Sequence, residues 1–192
     1  MHTQIRNESV NQVMSSAFLK RPRHKESTEE FIKILQEAML GVIICLPPPS
    51  PPCQSSTGEK KDDSTSVQEK QFGDKPIPIG HMSLNEWRGA HLRHNRDVSL
   101  GISLASEYRG QGYGREAINW ALDWAFQFGG VHRVNLTGHS YNHNALKLYR
   151  GMGFVEEGRQ REAVYCFHGW HDVILFSMLD HEWEKLRGIT RP

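Results

Sequence analysis

The stretch SEYRGQGYGREA, Ser106–Ala117, sets three glycines on alternate positions, Gly110, Gly112 and Gly114, between an alternating apolar run and a helical pattern. A strand is expected to end near Ala105 and a helix to start near Gly112. The first N–H groups of such a helix have no intrahelical acceptor and carry the positive end of its dipole. Glycines let an anion approach those N–H groups without a Cβ in the way. Spacing tests which anion. A G-x-G-x-x-G fingerprint started at Gly110 requires its last glycine at Arg115, and started at Gly112 it meets Ala117. No Gly-Lys-Ser/Thr occurs, which excludes a P-loop. What fits is R-x-x-G-x-G, carried by Arg109, Gly112 and Gly114.

That pattern resembles the pyrophosphate loop of the GCN5-related N-acetyltransferase (GNAT) superfamily. Downstream, NHNALKLYRGMGF resembles the second signature of that family, on Asn142, Ala145, Leu148, Tyr149, Gly153 and Phe154. The C-terminal GWHDVILFSML is similar to the branch that includes ribosomal-protein N-terminal and spermidine N-acetyltransferases. The resemblance implies an α/β (α+β) fold, a mixed seven-strand sheet flanked by helices and splayed open at its middle. It implies acetyl-CoA in that gap and a primary amine, a peptide N-terminus or a small amine, as acceptor. The pantetheine arm would pair with Ile102, Ser103 and Leu104, and the pyrophosphate would sit on N–H groups of Arg109, Gly110, Gln111, Gly112, Tyr113 and Gly114. Asn142 would hydrogen-bond the pantetheine, and Tyr149 would protonate the leaving thiolate. Lys147 and Arg150 are within reach of the CoA phosphates or are solvated helix charges. Many relatives carry an acid where Ser99 stands here, so no base is assigned; Glu86, Asp97 and His81 are the candidates. The alternative is an acyl-CoA-binding pseudoenzyme or a partner-recruiting protein without turnover.

Around these motifs, the order of patterns is helix, strand, insertion, two strands, helix, strand, helix, two strands, helix. Ser27 and Glu30 have capping-box spacing ahead of Phe31, Ile34, Leu35 and Ala38 on one helical face. GVIICL, Gly41–Leu46, reads as a strand buried on both sides. In VSLGISLA the large residues Val98, Leu100, Ile102 and Leu104 alternate with the small Ser99, Gly101, Ser103 and Ala105. Helical stripes fall on Ile118, Ala121, Leu122 and Ala125, and on Ala145, Leu148, Tyr149 and Met152. A hairpin is expected around His168-Gly169-Trp170.

The 192 residues form one expected domain. Within it, residues 47–75, Pro-, Ser- and charge-rich, read as a disordered insertion carrying PPPSPP, and residues 1–26 as an irregular segment. A formal net charge of +1 argues against nucleic-acid binding by bulk charge. No stretch is long enough to span a bilayer, and three cysteines form no paired framework. A cytoplasmic chain is expected, with a nuclear location left open and a homodimer admitted. Eleven histidines, with Cys166, His168 and His171 close together, lack the spacing of a metal site, and none is expected.

Overall fold

The computed structural model describes residues 25–48, 75–86 and 90–190. The expectations for the N-terminal stretch before Lys25, for PPPSPP and for most of the insertion lie outside the described residues. Helix α1 (Lys25–Glu37) leads into β1 (Leu40–Leu46). Strands β2 (Ile77–Glu86) and β3 (Asp97–Leu104) follow, with a 3-10 turn at Ala90–Asn95 between them. A second short turn, Ser106–Tyr108, precedes α2 (Tyr113–Gln127). Then come β4 (Arg133–His139), α3 (His143–Arg150), β5 (Val155–Cys166), β6 (Gly169–Leu179) and α4 (Asp180–Arg187).

The six strands lie in the order β1-β2-β3-β4-β6-β5. All neighbours are antiparallel except β3 and β4, which run parallel. That parallel ladder holds only three pairs, Asp97–Arg133, Val98–Val134 and Ser99–Asn135. Beyond them the two strands continue without pairing, so the mixed sheet is split from its middle toward the carboxyl ends of β3 and β4. The six strands among the described residues are one fewer than the seven that the resemblance implies.

Period-2 alternation decides which residues enter the core. Met82 and Leu84 of β2, Val98 and Leu100 of β3, Val134 and Leu136 of β4, and Ile174, Phe176 and Met178 of β6 are buried together. Ile118, Ala121, Leu122 and Ala125 of α2 pack into that cluster as one stripe, each no more than 1% exposed. Helix α4 is clamped to α2 by the Trp183 indole N–H, which donates to Asp123 at 2.9 Å, and by Arg187, which donates to the same carboxylate.

Four local expectations change. Helix α1 begins at Lys25, so Ser27 lies inside it rather than at its cap, and Ile34 is exposed. Among the described residues strand β1 lies at the edge of the sheet and is not buried on both sides: Ile43 and Cys45 are exposed. In α3 the buried stripe runs through Leu146 and Tyr149 to Met152, with Leu148 only partly buried. The hairpin turn is Phe167-His168, both at positive φ, closed by the Cys166–Gly169 pair. Two positive-φ residues match the right-handed twist of the flanking strands, which is why the loop is this short.

Phe176 is 1% exposed and touches both Tyr149 and the Arg150 guanidinium across its ring. Phe176→Ala should therefore cost about 3–5 kcal/mol by urea unfolding; a loss under about 1 kcal/mol contradicts this packing.

Candidate functional site

Two loops follow the carboxyl ends of the split strands, one after β3 and one after β4. The first follows β3. Gly110 and Gly112 sit at φ +74° and +93°, and Gly112 is the N-cap of α2 with no side chain capping it. The first backbone bond of the helix is from the Glu116 N–H to the Gly112 carbonyl at 3.1 Å. The N–H groups of Gly110 through Arg115 therefore have no backbone acceptor among the described residues. A Cβ built on Gly110 or Gly112 meets nothing within 4 Å. The space over these N–H groups is open, which is what a bound pyrophosphate requires.

Arg109 has a different part from the one expected of it. Its backbone N–H bonds to the Ser106 carbonyl at 3.3 Å, and its guanidinium donates twice to the Leu104 carbonyl, at 3.1 and 3.0 Å. The arginine thus ties the end of β3 to the start of the glycine loop. Gln111 closes the loop from its side by donating to the Glu107 carbonyl at 2.7 Å. Tyr113 and Gly114 form the first turn of α2. A Cβ on Gly114 would stand 3.6 and 3.8 Å from the Leu104 and Leu148 side chains, an ordinary contact.

Ile102, Ser103 and Leu104 are the half of β3 that has lost β4. Each still faces β2, against Met82, His81 and Gly80, and none has a partner in β4. The side that carries Ser99, Gly101 and Ser103 is open enough that Gly101 is exposed.

The second loop follows β4. Asn142 is the N-cap of α3, its side-chain oxygen accepting from the Ala145 N–H at 3.3 Å. Tyr149 is one helical face further on and 9% exposed. Gly138 explains how the helix comes this close: a Cβ there would stand 2.6 Å from Leu146 and 3.6 Å from the Tyr149 ring. The ring packs edge-on against Phe154 at 6.2 Å and Phe176 at 5.8 Å. Its hydroxyl has no hydrogen-bond partner among the described residues. Burial raises the pKa of this phenol above its ordinary value, so it keeps its proton.

The base candidates separate. Glu86 is ion-paired with Arg93. Asp97 accepts from Asn135 on the closed side of the split. Ser99 lies between Asn85 and Asn135 at the last rung. His81 stands opposite Ser103, its ring edge-on to Phe31 at 4.9 Å. Of the helix charges, Arg150 is paired with Glu156 at 2.7 Å.

Sequence reasoning missed two clusters beside the gap. Tyr141 stacks on His139 at 5.1 Å, meets Phe167 and His171 edge-on, and shares a hydrogen bond with the Cys166 side chain. Burial, then Cys166, pushes its phenol well above the usual range. The other is a polar row on β4, legible as the alternation Arg133, Asn135, Thr137.

The chain matches the model of the acetyltransferase (GNAT) family over residues 27–154, well over half its length. It is 35% identical over 105 residues to the spermidine N(1)-acetyltransferase of Vibrio cholerae, covering 55% of this chain and 58% of that one. It is 29% identical over 96 residues to the prophage-derived N-acetyltransferase YokL of Bacillus subtilis, covering 50% and 54%. The chain thus spans about half the length of the curated relatives it matches. The structure of the Vibrio cholerae spermidine N-acetyltransferase in complex with CoA and spermine aligns at TM-score 0.51 and 30% identity, over 56% of this chain and 62% of that one. A further acetyltransferase structure, 18% identical, shares the fold over 92% of this chain and 89% of its own, at TM-score 0.66.

Gly112→Ala should cost about 1–2 kcal/mol, the strain of a left-handed Cβ. Gly114→Ala should cost less than half of that by the same denaturant titration; equal costs contradict the loop geometry.

Proposed function

Because the chain belongs to the acetyltransferase (GNAT) family, we propose that it is an acetyl-CoA-dependent N-acetyltransferase whose acceptor is a primary amine, either a peptide N-terminus or a small amine. The observation that carries this is the split between β3 and β4, flanked by free N–H groups on one side and a buried phenol on the other. Bound acetyl-CoA supplies an acyl group already activated as a thioester. The N–H groups of Gly110 through Arg115 would hold its pyrophosphate, and the unpaired half of β3, Ile102–Leu104, would hold the arm that leads to the thioester.

Transfer needs a neutral amine, a polarised thioester carbonyl and a proton for the departing sulfur. The amine nitrogen bonds to the carbonyl carbon and the carbon–sulfur bond breaks. Tyr149 would give its hydroxyl proton to that sulfur, and the proton lost by the amine restores the phenol through solvent. The packing of Tyr149 between Phe154 and Phe176 fixes the ring, so the hydroxyl is held rather than searched for. A backbone N–H near Leu104 would polarise the carbonyl. No side chain is needed as base if the amine arrives neutral. A cytoplasmic setting, supported by the odd cysteine count, and a homodimer are part of the same proposal.

The test is CoA release from acetyl-CoA with a panel of amines that includes N-terminal peptides and polyamines. Tyr149→Phe should lower kcat by about 10-fold or more while leaving the KM for acetyl-CoA unchanged. Since the raised phenol keeps its proton, kcat of the wild-type enzyme should show no loss from this group below about pH 10. A fall in kcat centred near pH 8 that Tyr149→Phe abolishes would contradict the assignment. CoA binding without release on any amine would leave a CoA-binding protein.

A further inference from the structure

Along β4, Val134 and Leu136 enter the core, and Arg133, Asn135 and Thr137 face the other side of the sheet. There Arg133 and Asn135 join a hydrogen-bonded row that crosses four strands. Asn135 donates to Asp97 of β3, and the Arg133 Nε–H donates to the Asn135 oxygen at 2.8 Å. The Arg133 Nη2 donates to one Glu157 oxygen, and the Ser177 hydroxyl donates to the other at 2.8 Å. The Arg133 Nη1 has no partner among the described residues. A cavity of about 130 Å³ opens over this row, lined by Arg133, Asn135, Thr137, Glu157, Leu175 and Phe176 among others.

The place of this cavity matters more than its size. Its lining comes from β4, β5 and β6, and it reaches the gap through Asn135, the last β4 residue paired with β3. Its polar β4 lining, Arg133, Asn135 and Thr137, is on the face away from α3, whose Tyr149 approaches through Gly138 on the opposite face, while Leu136 and Phe176 of the core form its floor. A thioester held in the gap would thus have its proton donor on one side and this cavity on the other. A nucleophile entering by the cavity meets the carbonyl from the side opposite to that donor.

Its chemistry is mixed. Burial alone would raise the Glu157 pKa, but the hydrogen bonds from Arg133 and Ser177 outweigh it and hold the group below its ordinary value. It is a carboxylate at neutral pH and a poor base, suited to holding an amine rather than deprotonating it. Beside it, Arg133 has an uncommitted donor. Water occupies ~30 Å³ in the liquid, so the cavity has room for about four waters, or the head of a small molecule. A polyamine is a long chain with a cation at every nitrogen, and here the guanidinium already offsets the Glu157 charge. An amine with an oxygen acceptor close by along its chain satisfies both groups at once.

Resting on the acyl-transfer reading above, we propose that this cavity is the acceptor pocket. Glu157 binds the amine and Arg133 the neighbouring carbonyl or carboxylate oxygen, so the acceptor is an α-amino carbonyl compound, not a polyamine. The shared chemistry covers a peptide N-terminus and a free amino acid, and the test separates them. Alanine, tri-alanine and spermidine are titrated calorimetrically into the CoA-loaded protein, and into the CoA-free protein should CoA fail to bind. Tri-alanine, alanine or both should bind and spermidine should bind at least about 10-fold more weakly. Thr137→Trp, which fills the cavity from an exposed position, and Glu157→Gln should each weaken that binding about 10-fold or more, with the Kd for acetyl-CoA unchanged.

Preference for spermidine overturns the proposal, as does binding of none of the three. So does alanine or tri-alanine binding that Thr137→Trp leaves intact, which keeps the test valid even if Glu157→Gln fails to fold. α-Amino compounds that bind in the cavity without any CoA release would sink the acyl-transfer reading and leave the pocket standing. Release of CoA with spermidine alone would do the reverse.

Discussion

The structure depends on a parallel pairing that stops after three rungs. Strands β3 and β4 share Asp97–Arg133, Val98–Val134 and Ser99–Asn135 and then separate. A sheet interior with unpaired backbone is costly, since a buried peptide group without a partner loses about 1–3 kcal/mol. The split persists because both strands are held from their outer sides, β3 by seven pairs with β2 and β4 by seven pairs with β6. Backbone groups of β3 and β4 beyond that point face each other without pairing. Ligands of open α/β sheets commonly lie at the carboxyl ends of the strands, and the loops that follow β3 and β4 are at those ends here.

The helices convert that opening into a site. Helix α2 is fixed by its buried stripe and by the Trp183–Asp123 hydrogen bond, so its N-terminus with the free N–H groups stays aimed at the gap. Arg109 ties the glycine loop to the last carbonyl of β3. On the other strand, the missing side chain of Gly138 lets α3 settle against β4 and brings Tyr149 to the gap. Positive φ at Gly112, close approach at Gly138 and a capping Asn142 are three local devices with one joint result: two loops of fixed geometry on either side of an unpaired strand edge.

Much of this was legible in residues that must be particular amino acids. Gly110 and Gly112 marked the turn of positive φ before α2, and the frame from Asn142 to Phe154 marked α3 and its cap. The alternation in VSLGISLA placed Val98 and Leu100 in the core and Ile102 against it, whereas Leu104 lies outside that cluster. What failed were properties that depend on neighbours. GVIICL is apolar enough to be central, yet its partner exists on one side only among the described residues, so Ile43 is exposed. Leu146 was missed because burial in α3 is set by how closely Gly138 lets the helix approach, not by periodicity alone. Of the row Asp97–Asn135–Arg133–Glu157–Ser177 only the β4 members show in a local alternation, since the row joins residues up to 80 positions apart.

The measurement that bears most directly on the account is amide hydrogen exchange with and without CoA. The unpaired half of β3, Ile102–Leu104, and the free N–H groups of Gly110 through Arg115 should exchange fast in the free protein and become protected together on adding CoA. Strand β1, remote from the gap, should not change. CoA-induced protection that spares Ile102–Leu104, or that appears elsewhere in the sheet instead, would contradict the claim that the split between β3 and β4 is the seat of the acyl donor.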